Sequence, residues 1–451
     1  MDEKDLKTII DDIEFLAEAR DGRMIQNILI GSHPADVADI IRNLPDDHRR
    51  YVFGLLDPEM ASDVIVEFDE VSRDKLISQL HHKRLSEIVD EMASDDATDL
   101  VAELPEEVAE KVLESIDKED SDEVKELLRH EEDTAGGIMA LEFVCVRDDV
   151  TVDEAIKEIR SKAEEVGEVY NVYVVDNSDK LVGVLSLKKL ILSRATEQVK
   201  NIVEKDVVSV PTDMDQEEVA NIFRRYNLVS VPVVEDSGKL VGRITIDDVV
   251  DVMEEEASED IQKMAGLADD EEIRETSSLK IALVRLPWLV VAFVGEMGSA
   301  FVLLKFQASL KQIFMAAFFI PLMMAMGGNA GSQAAFIVVR GLVLGELNPG
   351  DTFSRLKKEF RVALIIGTSC GVLLFSLVWL FGEPRFGLVL GLCLIVVILN
   401  ATFVGTSIPL ILKSVGVDPA IATGPFISTS NDIIGLIIYL GLVTLALQYL
   451  H

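Results

Sequence analysis

Cysteine and histidine are scarce in this 451-residue chain, which has three of the first and six of the second. Cys145, Cys370 and Cys393 are scattered with no CxxC, so they suggest neither a disulfide framework nor a zinc site. Every histidine except His451 precedes residue 135, which leaves the C-terminal part without soft-metal ligands and disfavours zinc or copper there. No GxxxxGK[ST] loop occurs, so ATP hydrolysis is not expected to drive anything. There is no Ser/His/Asp, HExxH or paired-acid constellation that would support an enzyme. The opening MDEKDLK is acidic and polar, unlike a signal peptide, and the expectation is a cytosolic N-terminal half.

Basic residues are also in deficit, with 42 Lys and Arg against 79 Asp and Glu. The deficit is confined to one part. From Lys280 onward the acids are only Glu296, Glu346, Asp351, Glu359, Glu383, Asp418 and Asp432, so the first 279 residues carry a net charge of about −41 and the remainder +4. The first part is composed for water and the last 172 residues for a bilayer. An acidic soluble part repels nucleic acid, whose phosphates need Lys and Arg. It attracts cations, and its carboxylates repel one another until something neutralises them. A merely solubilising surface accounts for the same composition.

Two repeats organise the soluble part. Apolar residues recur every twelve positions at Leu44, Leu56, Phe68, Leu80, Met92, Leu104, Ile116 and Leu128. Turn or capping residues follow them, as in Pro45-Asp46-Asp47, Asp57-Pro58, Asp69-Glu70, Ser94-Asp95-Asp96 and Pro105-Glu106. Asp or Ser there accepts from the free N–H groups of the next helix, and Pro suits its first turn. Two-turn helices stacked as a small α-solenoid are predicted.

The second repeat spans roughly 134–255. Asn171–Asp176 and Lys180–Ser186 match Ser230–Glu235 and Lys239–Thr245 at an offset of 59, while Phe143–Val146 matches Val207–Val210 at 64. Five extra residues should therefore lie near Ala163–Gly167 of the first copy. Each copy reads strand, helix, strand, turn, strand, helix. This pattern resembles the CBS domain, which pairs in tandem, and the resemblance implies that a Thr and an Asp after the last strand contact a nucleotide. The second copy keeps Thr245 and Asp248 in that arrangement, whereas the first has Ser186-Leu187-Lys188-Lys189 without the acid. An ATP-like ligand at the second copy is one expectation; the other is that Asp248 caps a helix or meets a cation.

From Asp247 to Glu275 the chain is densely acidic, and Val249, Val252, Met253, Ile261, Met264 and Leu267 fit one face of a long helix. That helix should link the soluble part to the membrane part. Five apolar stretches of spanning length follow at about 284–304, 314–338, 362–382, 387–411 and 424–447. Arg340, Arg355, Lys357, Lys358 and Arg361 lie between the second and third, which places that connection, and with it the N-terminus, in the cytosol and the C-terminus outside.

Polar groups inside spans are costly and mark pathways. Asp432 is the sole charge of the fifth stretch and follows Ser428-Thr429-Ser430-Asn431. The second contains Pro321 and then Met326-Gly327-Gly328-Asn329-Ala330-Gly331-Ser332-Gln333, in which Asn329 and Gln333 share a face at i and i+4. Few carboxylates with neutral oxygens suit Mg²⁺, which keeps its waters; calcium is harder to exclude.

Taken together, Pro321, Gly327–Gln333, Arg340-Gly341, Asp418-Pro419-Ala420, Pro425, Thr429 and Asp432 make the chain similar to MgtE-type magnesium transporters over almost its whole length. The resemblance implies a helical N domain at 1–132, CBS copies at 133–199 and 200–253, an acidic connecting (plug) helix at 254–279 and a five-helix pore domain at 280–451. It further implies a homodimer in the plasma membrane with one Mg²⁺ pathway at the dimer axis, Asp432 as the pore carboxylate and Asp418 near the cytosolic mouth. Closure by cytosolic Mg²⁺ would use Asp248, Asp251, Glu256, Glu259 and Asp260, opposed by Glu59, Glu91 and Asp95. Glu296 departs from the family pattern, where a neutral polar residue is expected in span one. It lines a second cation position, snorkels, or stays protonated. Competing readings are a transporter of Co²⁺ or Mn²⁺ and a nucleotide-sensing membrane protein without conductance.

Overall fold

The computed structural model describes residues 3–162, 166, 169–265, 278–312, 314–343, 347 and 352–450. They form two compact units, Met1–Glu256 and Ala257–His451.

The first unit begins with helices Glu3–Glu18 and Gly22–Leu29, followed by eight short helices from Pro34–Arg42 to Lys118–Leu127. The period of twelve is realised. Asp57 accepts from the Met60 N–H at 2.9 Å and Asp69 from the Ser72 N–H at 3.0 Å, each closing the first turn of the next helix. Leu44, Leu56, Phe68, Leu104 and Ile116 are buried in one continuous core, with Leu80 and Met92 packed against it. Leu128 differs: it is exposed, because the helical stack ends there and no next helix covers it.

The two CBS copies follow. In the first, β1 (Cys145–Arg147) pairs parallel with β2 (Asn171–Val175), and β2 antiparallel with β3 (Leu181–Ser186). In the second, β4 (Val210–Pro211), β5 (Ser230–Val234) and β6 (Leu240–Thr245) repeat that order. Asn171 faces Ser186 as Ser230 faces Thr245, which is the offset of 59 read in the sequence. The copies also meet symmetrically. The Leu181 N–H donates to the Gly238 carbonyl and the Leu240 N–H to the Asp179 carbonyl, each at 3.1 Å. Asp179 and Gly238, the equivalent turn residues, both have positive φ. The side chains of Tyr173 and Ser230 complete the junction with a buried hydrogen bond of 2.6 Å. The predicted insertion near Ala163–Gly167 lies almost wholly outside the described residues.

The connecting helix is described over Ile246–Ala265; the rest of its predicted course, including Leu267, lies outside the described residues. Val249 and Val252 are buried and Met264 half-buried, but Met253 and Ile261 are exposed, so the single apolar face expected for this helix is not continuously covered.

The second unit holds five helices long and apolar enough to cross a membrane: Ser278–Lys305, Ile320–Val343, Thr352–Leu380, Pro384–Ser414 and Pro425–Leu450, here spans one to five. Span one packs on span five, span two on spans four and five, and span three along span four. Large apolar side chains such as Leu289, Phe293, Ile365, Leu373 and Leu380 point outward, as lipid-facing surface requires. Pro321 sits in the first turn of span two, where its missing N–H leaves no bond unmade. Span three begins about ten residues earlier than its apolar run, on an extension where Arg355 pairs with Glu359 at 2.9 Å.

Spans two and four approach closely enough that a Cβ on Gly405 would lie 2.2 Å from the Gly331 carbonyl oxygen. Side chains there must force the helices apart, and overpacking typically costs about 1–3 kcal/mol. Gly405→Val is therefore expected to lower the thermal unfolding midpoint of the detergent-solubilised protein. Gly441→Ala, whose new methyl meets nothing within 4 Å, is expected to leave it unchanged or raise it.

Candidate functional site

In the first unit the solenoid helix Ser94–Ala102 brings Asp95, Asp96 and Asp99 to the start of the connecting helix. A tether fixes this approach. Glu142, just before the first strand of the first CBS copy, accepts from the Ser94 N–H and hydroxyl, each at 2.8 Å, and the Leu141 N–H donates to the Ser94 hydroxyl at 2.9 Å. Glu142 thereby takes the N-cap role of that helix. Asp95 and Asp99 are one turn apart, on one face.

Crowding of acids dominates the electrostatics. Burial holds the Asp95 carboxyl well above the usual carboxylate range, and the charges of Asp96 and Asp248 add to it. Asp96 is pushed up to about 7 by burial, then by Asp248 and Asp99, with Arg73 opposing. Asp99, the more exposed of the three, is raised to about 7 by burial and Glu132, again against Arg73. Arg73 is itself ion-paired with Glu103, so its charge is shared. Like charges 4 Å apart repel by about 4 kcal/mol at an effective dielectric of 20, which a lone shared guanidinium does not offset for three carboxylates.

Asp248 faces this group from the connecting helix. Its carboxylate accepts from the Thr245 hydroxyl at 2.6 Å and from the Thr245 N–H at 3.0 Å. Both partners of the predicted nucleotide pair are thus engaged in capping the helix. Burial raises Asp248 to about 6, the Thr245 bonds lower it, and Asp247 and Asp251 raise it. Asp251 is raised by burial, Glu254 and Asp247. Glu256 accepts from the Gln216 side-chain amide at 2.8 Å. Glu59 and Glu91 are exposed and are not among the charges acting on Asp95, Asp96 or Asp99.

In the second unit the end of the connecting helix meets the loop before span five. Lys263 pairs with Glu259 and, at 3.0 Å, with Asp418. Burial disfavours its charge, but hydrogen bonds to both carboxylates raise its pKa. The other Asp418 oxygen accepts from the Ala420 N–H at 2.8 Å. Asp260 is half-buried on the same turn as Glu259.

Within the membrane unit Asp432 is half-buried, and its carboxyl lies in hydrogen-bonding contact with that of Glu296 on span one. No basic side chain contributes to its surroundings among the described residues. Asn329 and Gln333 stand exposed on one side of span two, while Gly327 and Gly331 face spans four and five. No hydrogen bond or ion pair brings Asn329 to Asp432 among the described residues. Asn431, beside Asp432, is 3% exposed with both polar side-chain atoms unpartnered.

Asp96, Asp99 and Lys263 were not singled out in the sequence. The run Ser94-Asp95-Asp96 reads as a helix start, and only the i, i+4 spacing of Asp95 and Asp99 hints at a shared face.

A helical solenoid joined to a CBS pair, followed by five spans with carboxylates inside them, defines a multi-pass membrane protein of the cation-transport class. Residues 320–442 match the divalent cation transporter family MgtE, 32–133 the MgtE intracellular N domain, and 135–195 and 199–255 the CBS domain. The chain is 34% identical over 434 residues to the magnesium transporter MgtE of Thermus thermophilus, covering 95% of this chain and 96% of that protein. It is 35% identical over 429 residues to magnesium transporter MgtE of Bacillus subtilis, covering 94% and 95%. A crystal structure of the cytosolic domain of the Mg²⁺ channel MgtE in complex with ATP superposes with a TM-score of 0.51 at 35% identity, covering 54% of this chain and 99% of that one. The chain belongs to the MgtE family of divalent cation transporters.

The acid cluster sets the sign of a pH effect. Unfolded aspartates lose their protons near pH 4, but in the folded chain Asp96 keeps its proton until about 7 and the more exposed Asp99 is also raised, so the native state binds more protons between those values. The cluster therefore costs stability as pH rises from 4 to 7. In chelator, the double variant Asp96→Asn/Asp99→Asn is expected to unfold at higher temperature than the parent at pH 8, with the difference vanishing at pH 4. A difference that instead grew toward pH 4 would contradict the crowding.

Proposed function

We propose that this protein conducts Mg²⁺ across the plasma membrane as a homodimer and is closed by Mg²⁺ bound on its cytosolic side. The observation that carries this reading is Asp432, a carboxyl within span five that touches a second carboxyl and has no basic neighbour among the described residues. A charged aspartate at a helix centre costs about 2.5–3.5 kcal/mol on insertion scales, and a second one in contact adds repulsion. A divalent cation offsets both. Asn329 and Gln333 supply neutral oxygens on the open side of span two, suited to an ion that keeps part of its water. The basic connection between spans two and three argues for a cytosolic N-terminus and an external C-terminus. The relatives named above are magnesium transporters over their whole length, which favours Mg²⁺ over Co²⁺ or Mn²⁺.

Closure would use the crowded aspartates. Without metal, Asp95, Asp96 and Asp99 repel Asp248, which Asp251 also crowds; a bound Mg²⁺ bridges them and holds the solenoid to the connecting helix. Glu59 and Glu91 are proposed as outer acids of this face, and Glu256, Glu259 and Asp260 as those further along the helix, with Asp418 at the pore mouth. A nucleotide at the second CBS copy belongs to the same reading, supported by the solved relative crystallised with ATP. It would have to share Thr245 and Asp248 with the helix cap.

Asp432→Asn in proteoliposomes is expected to lower Mg²⁺ uptake at least tenfold; uptake at the parent rate would remove the pore role. Lys263 holds Glu259 and Asp418 by partly exposed ion pairs, each worth about 0.2–1 kcal/mol. Lys263→Met is therefore expected to raise the cytosolic Mg²⁺ needed for closure by up to about fivefold. A closure concentration that stays put, measured in excised patches, would show that this pair does not help hold the closed state.

A further inference from the structure

Two glycines decide which side chains meet at the heart of the membrane unit. A Cβ on Gly295 of span one would lie 2.1 Å from the Thr429 methyl, and one on Gly298 would lie 2.9 Å from Ile433. With no side chain at either position, span one lies directly against span five, and Glu296, between the two glycines, reaches Asp432 one turn from Thr429. Ser299 lies one turn beyond Glu296 on the side that faces span five. It is 7% exposed, and its hydroxyl has no hydrogen-bond partner.

Two carboxyls are in contact with no basic group to meet them among the described residues, and one turn further along span one lies a buried hydroxyl that is itself unsatisfied. Buried polar atoms in native proteins are nearly always satisfied, so an orphan hydroxyl at such a point marks a missing partner. Hard divalent cations take oxygen ligands and bring water that can reach a neighbouring hydroxyl. Lipid and apolar side chains offer nothing comparable.

We propose that Glu296 is a second direct ligand of the transported cation, which it holds together with Asp432, and that this second carboxylate makes the site prefer divalent over monovalent ions. The assignment rests on the conduction reading given for Asp432. A second carboxylate beside Asp432 doubles the negative charge that each chain presents to the ion, which favours doubly charged over monovalent cations. Ser299 accepts or donates to water of the bound ion and is a positioning residue.

The experiment uses the full-length chain in proteoliposomes, with Mg²⁺ uptake measured against concentration and with K⁺ as competitor. Glu296→Gln is expected to raise the half-saturating Mg²⁺ concentration about tenfold, the scale of one charge-assisted contact, and to admit K⁺. Glu296→Asp, which keeps the charge and draws it back by one methylene, is expected to fall between the two and to restore exclusion of K⁺. Half-saturation and K⁺ exclusion at parent values in Glu296→Gln would overturn the assignment. So would Glu296→Asp behaving no better than Glu296→Gln, since lost packing and not lost charge would then be the cause. Should Glu296→Gln fail to fold, Glu296→Asp decides alone: a raised half-saturation supports the ligand role and a parent value refutes it. Asp432→Asn run in parallel separates the two readings. If it abolishes uptake while Glu296→Gln is silent, conduction at Asp432 stands and only the second ligand falls; if it transports like the parent, both fall.

Discussion

Repulsion between carboxylates held closer than water alone would leave them is the constraint on which this structure turns. It recurs at two levels. In the soluble unit Asp95, Asp96 and Asp99 stand against Asp248 with one shared guanidinium nearby. In the membrane unit Glu296 touches Asp432. Folding brings these groups together through interactions made apart from their mutual repulsion: an N-cap from Glu142, the hydrogen bonds that Asp248 accepts from Thr245, and the close approach of a glycine face to span five. Protons relieve the crowding of the soluble cluster at low pH. Under the proposed function, metal takes over that part near neutrality.

The remaining acid, Asp418, shows the alternative solution. Where the chain supplies its own cation, Lys263, the carboxylate is satisfied without metal. The contrast is informative because both ends of the connecting helix bear acids, yet Lys263 pairs with Asp418 itself, whereas Arg73 near the other end is paired with Glu103. Under the proposed mechanism the near end would respond to metal most steeply. The far end would instead be biased toward contact from the outset.

Much of the fold was legible in the sequence because it is periodic. A twelve-residue spacing with Asp, Ser or Pro at the restarts dictates short stacked helices, and the offset of 59 anticipates the matching strand registers, while the pairing of the two copies was implied by the CBS resemblance. Spans follow from apolar length alone. The site was less legible. Asp432 stands out because charge in a span is rare, whereas Asp96 and Asp99 are two acids among many and are distinguished only by what folds over them. The contact between Glu296 and Asp432 depends on the tertiary approach at Gly295, which no local pattern encodes. Met253 and Ile261 fit an apolar stripe but lack a partner surface, since helical periodicity states which residues share a face and not whether that face is covered.

Geometry also explains why a single helix is a suitable transmitter under the proposed function. Asp248 lies near the start of the connecting helix and Lys263 near its end, with unbroken helix between them. Under the proposed function a helix, which resists axial compression, carries a displacement along its length without needing a chain of repacked side chains. Few buried apolar contacts hold the middle of that helix: Val249 and Val252 anchor its first turns, and Met253 and Ile261 are exposed. An element stiff along its axis but weakly held along its length can shift as a body when the repulsion at one end is relieved. Burying its outer stripe in a core would have fixed its position and removed that freedom, at the cost of the coupling the acids are placed to exploit.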